Sequence, residues 1–332
     1  MNREIVCLTN GKSVLIANFI IILCGCIGFI NSRMVAPCSI LAVVALFYAV
    51  NKNIIQFCLP PLIMFYEFLV IPGGLSVFRV YTILFLFLQF SNRNVRINEK
   101  RNLIFLIIST ISLIFSLEVE SIRRILFLFF DLIAMVLYVN DIKENRELFH
   151  YFSYSMIAAV FFACLIGVVI GISETSAIYL GGQWIENSRL IATFKDPNYL
   201  SLFINFAFFF AMIETSIPLF IRIPTLIGLL FFLIATGSLT GVLALVLGIV
   251  MYLLFLNKIN FKTLIVVVIS LLLLRWIYQY ALSHDVMFLS GFLQRIQSKV
   301  QVGNDINAIT SNRTRIWEEH WAFYKNQSVF KQ

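Results

Sequence analysis

The sequence predicts an all-α protein, a polytopic transmembrane helix bundle of about eleven spans with short amphipathic helices on its outer face. Three observations predict it. Of 332 residues, 60% are hydrophobic and 13% charged, where a soluble domain carries roughly 45–50% apolar and about 25% charged residues. The apolar residues fall in long runs, and a span needs about 20 of them. Lys and Arg gather in alternate connections between those runs, as cytoplasmic loops require. With 34 Phe against 15 Gly and 7 Pro, the chain is neither fibrous nor disordered, and its excess apolar surface has to face lipid.

The first run, 13–30, follows Arg3 and Lys12 and lacks a small-x-small cleavage site, so it reads as an uncleaved span with the N-terminus inside. Further spans fall at 35–50, 54–71, 77–90, 103–117, 122–139, 151–172, 199–214, 219–236, 239–256 and 263–280. The last division but one depends on Thr236-Gly237-Ser238-Leu239-Thr240 acting as a tight turn. This orientation places Arg3, Lys12, Lys52, Arg93, Arg96, Lys100, Arg101, Lys143, Arg146, Arg222, Lys258 and Lys262 inside. It places only Arg33, Arg79, Arg123, Arg124, Arg189 and Lys195 outside before the tail. Residues 1–280 thus form the transmembrane bundle, with an outer loop at 173–197. Residues 281–332 form an outer amphipathic segment. There Phe288, Leu289, Phe292, Leu293, Ile296 and Val300 recur at helical spacing, as do Ile316, Trp317, Trp321 and Tyr324, with a break at Gly303-Asn304-Asp305.

The net charge of +8 follows from this loop bias. Nucleic acid is not expected as a partner, because no basic run interleaves with aromatics in a soluble segment. Five of the six cysteines (Cys24, Cys26, Cys38, Cys58 and Cys164) lie in apolar stretches and read as packing residues, with Cys7 in the N-terminal tail. His150, His284 and His320 share no ligand spacing, so neither metal nor cofactor is expected.

Polar residues gather toward the outer ends of the spans. Glu67, Arg79, Arg123, Arg124 and Arg275 lie there, the last followed by Trp276, Tyr278 and Tyr280, while Asp131 stands alone near mid-membrane. Singly they read as snorkelling or paired charges, Glu67 with Arg79 or Glu120 with Arg124; together they suggest a polar cavity opening outward. The outer loop ends in Arg189-Leu190-Ile191-Ala192-Thr193-Phe194-Lys195-Asp196-Pro197-Asn198. Asp196 is a good N-cap and Pro197 a good first helical residue, which accounts for them as the start of a span. A helix N-terminus beside Arg189 and Lys195 is also an anion site, and phosphate suits a guanidinium. A second outer segment, Ser311-Asn312-Arg313-Thr314-Arg315-Ile316-Trp317, again sets arginines at the start of an amphipathic helix.

These segments resemble the O-antigen ligase and O-antigen polymerase superfamily. Residues 189–198 are similar to its R-x-x-G-T-F-x-N-P-N segment, Thr236 to Gly241 to its T-G-S-R-x-G turn, and Ser311 to Trp317 to its S-G-R-x-x-x-W segment. The likeness covers about 185–325; spans one to seven match only in general character. Leu239 stands where the family has an arginine. The family's periplasmic histidine and its spans beyond the third segment have no counterpart here, so the chain is expected to be C-terminally incomplete relative to the family.

The resemblance implies a metal-independent inverting glycosyltransferase of the bacterial inner membrane: an O-antigen polymerase that takes glycan from an undecaprenyl-pyrophosphate donor to a sugar acceptor at the outer face. Membrane lipid and a chain-length regulator are the further partners implied. Arg189 and Arg313 are the expected catalytic cations, with Lys195, Asp196, Asn198, Arg315 and Arg275 binding substrate. His320 is a stand-in for the missing base, or an interfacial residue. Short outer loops favour polymerase over ligase. The alternatives are a ligase, a transporter or flippase of lipid-linked oligosaccharide, and an inactive truncated member.

The orientation has a direct check. In a cysteine-free background, Cys introduced at Asn94 should be shielded from an impermeant thiol reagent outside intact cells, and Cys at Gln183 should be labelled. Labelling of both from one side contradicts the assignment.

Overall fold

The computed structural model describes residues 11–91, 119–144, 146–172, 185–186, 189–194, 196–255, 317–319 and 321–322, with 119–125, 140–144, 146–148, 170–172, 185–186, 189 and 254–255 described by backbone alone. They are mostly helical. They divide into two units, 1–186 with 190–233, and 187–189 with 234–332. Gly11–Ile30, Ser32–Asn51 and Phe149–Val169 are each long and apolar enough to cross a membrane, and six further apolar helices are shorter. These helices mark a membrane protein. The expected spans at 103–117 and 263–280 and the amphipathic run 288–300 lie outside the described residues.

In the first unit, α1 (Gly11–Ile30) and α2 (Val35–Asn51) form an antiparallel hairpin. The Asn31 carboxamide opens the short 3-10 link Ser32–Met34 by accepting from the Arg33 N–H at 3.0 Å. The Tyr48 hydroxyl donates to Ser13 Oγ at 3.0 Å and fastens the other end. One face of α1 carries the exposed Leu15, Ile16, Phe19 and Leu23, while Ala17, Ile21, Cys24 and Phe29 are buried on the other. That is helical periodicity sorting lipid-facing from packed residues.

The expected continuous span at 54–71 is instead a broken segment. It consists of a 3-10 turn at Ile55–Cys58, one short helix α3 (Leu59–Met64), and turns leading to the strand pair β1 (Val70–Ile71) and β2 (Leu75–Ser76). Pro60 and Pro61 stand in the first turn of α3, where a missing N–H costs nothing, and a helix running through the pair would lose two hydrogen bonds. Gly73 and Gly74 make the hairpin turn at φ +102° and +85°, a region an L side chain resists. Irregular backbone at membrane depth has to be enclosed by protein, and most of this segment is: Ile55, Phe57, Cys58, Leu62, Met64, Phe65 and Leu69 are buried, while Tyr66 and Glu67 are exposed. Two glycines of α1 admit it. A Cβ on Gly25 would lie 2.2 Å from the Phe65 ring, and one on Gly28 would lie 2.7 Å from the Phe68 carbonyl oxygen. The segment therefore runs alongside α1 in the same direction.

α4 (Val77–Ser91) and α5 (Val119–Glu144) lie in parallel. The Arg79 guanidinium sits 4.0 Å from the Phe127 ring centroid, Thr82 donates to Asp131 at 3.1 Å, and Phe85 meets Tyr138 edge to face at 6.1 Å. Asp131 is thus not alone, as its sequence context suggests; a residue 49 positions away partners it. Arg79, offered as a partner for Glu67, stacks on Phe127. The suggested Glu120–Arg124 pair lies outside the described side chains.

α6 (Arg146–Ile172) turns back from α5 and packs against α7 (Pro197–Ile213) in antiparallel sense, with Phe149 and Phe152 both against Phe210. Gly228 of α8 (Leu219–Ala235) lets Phe161 of α6 approach: a Cβ there would lie 2.8 Å from its ring. In the second unit, α9 (Leu239–Phe255) follows a short turn. Cys24, Cys26, Cys38, Cys58 and Cys164 are free and buried, in keeping with packing roles.

Candidate functional site

The outer-loop segment enters this picture through β3 (Ile185–Glu186) and β4 (Arg189–Leu190), of which Arg189 is described by backbone alone. From Leu190 to Ala192 the chain is buried against α6. A Cβ on Gly167 would lie 3.0 Å from both Cα and Cβ of Ala192 and 3.1 Å from Leu190 Cδ1, so the glycine lets the turn pack close against α6. Phe194 N–H donates to the Ile191 carbonyl at 2.9 Å and closes the turn. Inside it, Ala192 holds φ +45°. The left-handed region costs an L residue about 1–2 kcal/mol. The position is the one at which the O-antigen superfamily segment carries glycine. The next residue, Thr193, is 3% exposed and its hydroxyl has no hydrogen-bond partner, a cost on the order of 1–3 kcal/mol.

Asp196 then caps α7. Its backbone is extended and its carboxylate accepts the Asn198 N–H at 2.7 Å. Its carbonyl accepts from Tyr199 and Leu200 at 3.1 and 3.3 Å, and Pro197 has no N–H to offer. The anion site expected at this helix start is therefore filled by the chain's own carboxylate. Asp196 and Asn198, expected to bind substrate, serve the first turn: the Asn198 carbonyl accepts from Ser201 Oγ at 2.7 Å. Asparagine, the residue of the resembled segment at this position, is as good an N-cap as aspartate. Lys195, Arg275, Arg313 and Arg315 lie outside the described residues, as does His320. Trp317 and Trp321 are exposed.

In the second unit, the turn between α8 and α9 assigns a backbone task to each family letter that the chain keeps. Gly237 ends α8 at φ +61°, donating to the Ile234 carbonyl at 2.9 Å. Thr236 Oγ1 accepts the Ser238 N–H at 3.2 Å. Ser238 caps α9, its Oγ accepting the Gly241 N–H at 3.1 Å and its carbonyl the Val242 N–H at 3.1 Å. Leu239, at the letter the family fills with arginine, is the position without such a task.

The residue reading missed a polar cluster where α6 begins and α7 ends. Glu214, one residue past α7, is 2% exposed, yet its carboxylate meets His150 Nδ1 at 2.5 Å. It also accepts from the Ser216 hydroxyl and, at 3.2 Å, from the Ser216 N–H. The Ser216 hydroxyl in turn meets Tyr154. His150 and Tyr154, one turn apart on α6, grip the same short connection. An ionised carboxylate only accepts, so Nδ1 carries the proton and Nε2 faces outward from a side chain 44% exposed. Such a pair suits a general base. But His150 stands seventeen positions, about 25 Å of helix, from Gly167, which touches the Ala192 turn. It is too far away to act as a base at the Ala192 turn. Partners 64 residues apart leave no local signal. Among the described residues no group of His, Cys, Asp and Glu has the arrangement to hold a metal ion.

Burial raises the Glu214 carboxyl, but the Ser216 hydroxyl, the His150 ring and the Ser216 N–H outweigh it and leave its pKa below the ordinary glutamate value. A lowered carboxylate stabilises the fold above its unfolded value, about 4.3, and that stability fades as pH falls through the folded value. Glu214→Gln should therefore melt lower than wild type at neutral pH, by about 1–2 kcal/mol for a buried hydrogen-bonded group. The gap should close on acidification below the glutamate range. Thermal melts of detergent-solubilised protein across pH check this; a gap independent of pH contradicts it.

No family model, characterised protein or solved structure matches the chain, so its chemistry has to be argued from the residues themselves.

Proposed function

We propose that the chain is a multi-pass membrane glycosyltransferase of the O-antigen polymerase type, with its N-terminus on the cytoplasmic side of a bacterial inner membrane. Its donor is a polyprenyl-pyrophosphate-linked oligosaccharide. The observation that carries this reading is Ala192 at φ +45°, at the one position of the 189–198 segment where the superfamily has glycine. A short sequence likeness that arises by chance has no reason to place its glycine at a left-handed residue. The Asp196 cap at the family's asparagine supports it in the same way.

The helix directions support the alternating topology. α1 and α2 are antiparallel, α1 and the broken segment parallel, α4 and α5 parallel, and α6 and α7 antiparallel, as spans that alternate in direction require from either side; the loop charges supply the orientation. The His150–Glu214 cluster then falls at the inner face and the 191–196 turn at the outer. A metal-free transfer needs fixed positive charge on the leaving pyrophosphate. With the α7 N-terminus occupied by Asp196, that charge has to come from Arg189 and Arg313, with Lys195, Arg315 and Arg275 in support. An acceptor hydroxyl then attacks the anomeric carbon, the bond to the pyrophosphate breaks, and the leaving group departs with its negative charge held by those cations.

A second reading has one specific observation in its favour. The broken segment at 55–69 is the kind of discontinuous element that transporters place at their binding sites, so movement of lipid-linked oligosaccharide is the rival activity.

Arg189→Lys tests the first reading in a deletion strain complemented by the variant. Charge is kept but the bidentate fork is lost, so surface polysaccharide should shorten to single repeat units at unchanged protein level. Full-length polymer with lysine, or loss of the protein itself, returns Arg189 to a structural role.

A further inference from the structure

The turn before α7 is fastened at its far end and seated at its near end. Phe194 stacks on Phe203 of α7, with ring centroids 5.0 Å apart and planes 14° from parallel, and the Asp196 carboxylate caps the same helix. Leu190 and Ala192 rest instead on α6, at Gly167, and both are buried there. Ala192 keeps φ +45° in that seat. A strained conformation persists only where its surroundings over-determine it, so the backbone has little freedom at this point.

A methyl group at 167 would press on Ala192 Cα and Cβ at 3.0 Å and on Leu190 Cδ1 at 3.1 Å. Carbon atoms prefer a separation of about 3.5–4.0 Å. With the far end held by the Phe203 stack and the Asp196 cap, the displacement passes to Leu190 and to the residue before it in the chain, Arg189. Placement matters to a group that meets developing charge, where a shift of about 1 Å costs on the order of 10²-fold in rate. We propose that Gly167 is a positioning residue: its missing side chain sets where the chain passes from Leu190 to Arg189, and so where the cation for the leaving pyrophosphate is anchored. The role rests on the glycosyl transfer and the Arg189 assignment proposed above; Gly167 itself touches no substrate.

The test compares wild type, Gly167→Ala and Gly228→Ala in proteoliposomes with radiolabelled lipid-linked repeat units, with kcat and KM for the donor taken per folded protein. Gly228→Ala is the control. It crowds the same helix α6 through the Phe161 ring at 2.8 Å, six positions, about 9 Å of helix, from Gly167. Gly167→Ala should lower kcat roughly three- to tenfold at unchanged KM, the share of the cost per ångström that a shift of a few tenths carries. Gly228→Ala should keep the wild-type kcat. Where Gly167→Ala fails to accumulate, Leu190→Val, which takes away the Cδ1 resting on Gly167, is read to the same expectation. A wild-type kcat in the Gly167 variant overturns the proposal. So does an equal loss in both glycine variants, which is bundle packing, or a loss that falls wholly on KM. A wild type that makes no polymer in these vesicles contradicts the function reading, and the Gly167 role goes with it. A wild type that polymerises while Gly167→Ala keeps its kcat removes the Gly167 role alone.

Discussion

Lipid offers no hydrogen-bond partner, so every backbone group at membrane depth must find one within the protein. The described structure depends on that constraint. Among the described residues it makes the long apolar runs helical, and it obliges the run broken around Pro60 and Pro61 to lie largely enclosed. The enclosure depends on glycines: Gly25 and Gly28 of α1 have no side chain where the Phe65 ring and the Phe68 carbonyl must pass. The same constraint acts at helix ends. Asp196, Ser238 and Gly237 each meet groups that would otherwise be unpaired where α7 and α9 begin and α8 ends.

Helix ends were legible in the sequence because their causes are local. Asp196-Pro197 and Thr236-Gly237-Ser238 carry the stop and start signals within a few residues, and the helices begin and end where those signals fall. The broken segment departs from the expected span 54–71, although Pro60, Pro61 and the Gly73-Gly74 pair stand in its sequence. An enclosed apolar segment and a lipid-facing span have the same composition, and only packing separates them. The pairs Thr82–Asp131 and His150–Glu214 were invisible for a different reason. Their partners are 49 and 64 residues apart, and nothing in either neighbourhood points to the other.

The candidate site divides along the same line. Ala192, Asp196, Gly237 and Ser238 have backbone duties, in a left-handed turn, at two helix caps and at a helix end. The proposed chemical duties fall on the arginines, and Leu239 stands where the resembled segment has one. Asp196 in its cap occupies the N–H groups at the start of α7, so in the proposed reaction phosphate falls to side-chain cations. At the opposite end of α6 and α7, the His150–Glu214–Ser216 connection fixes one end of the helix pair whose other end carries the Ala192 turn.

The central claim is that this chain makes glycosidic bonds. The most direct measurement places the purified protein in proteoliposomes with radiolabelled lipid-linked repeat units, supplied on either face, and separates products by size. The account predicts labelled oligomers of more than one repeat unit together with released lipid pyrophosphate, without added metal. Label that crosses the bilayer while every product remains a single repeat unit contradicts it and assigns the chain to transport.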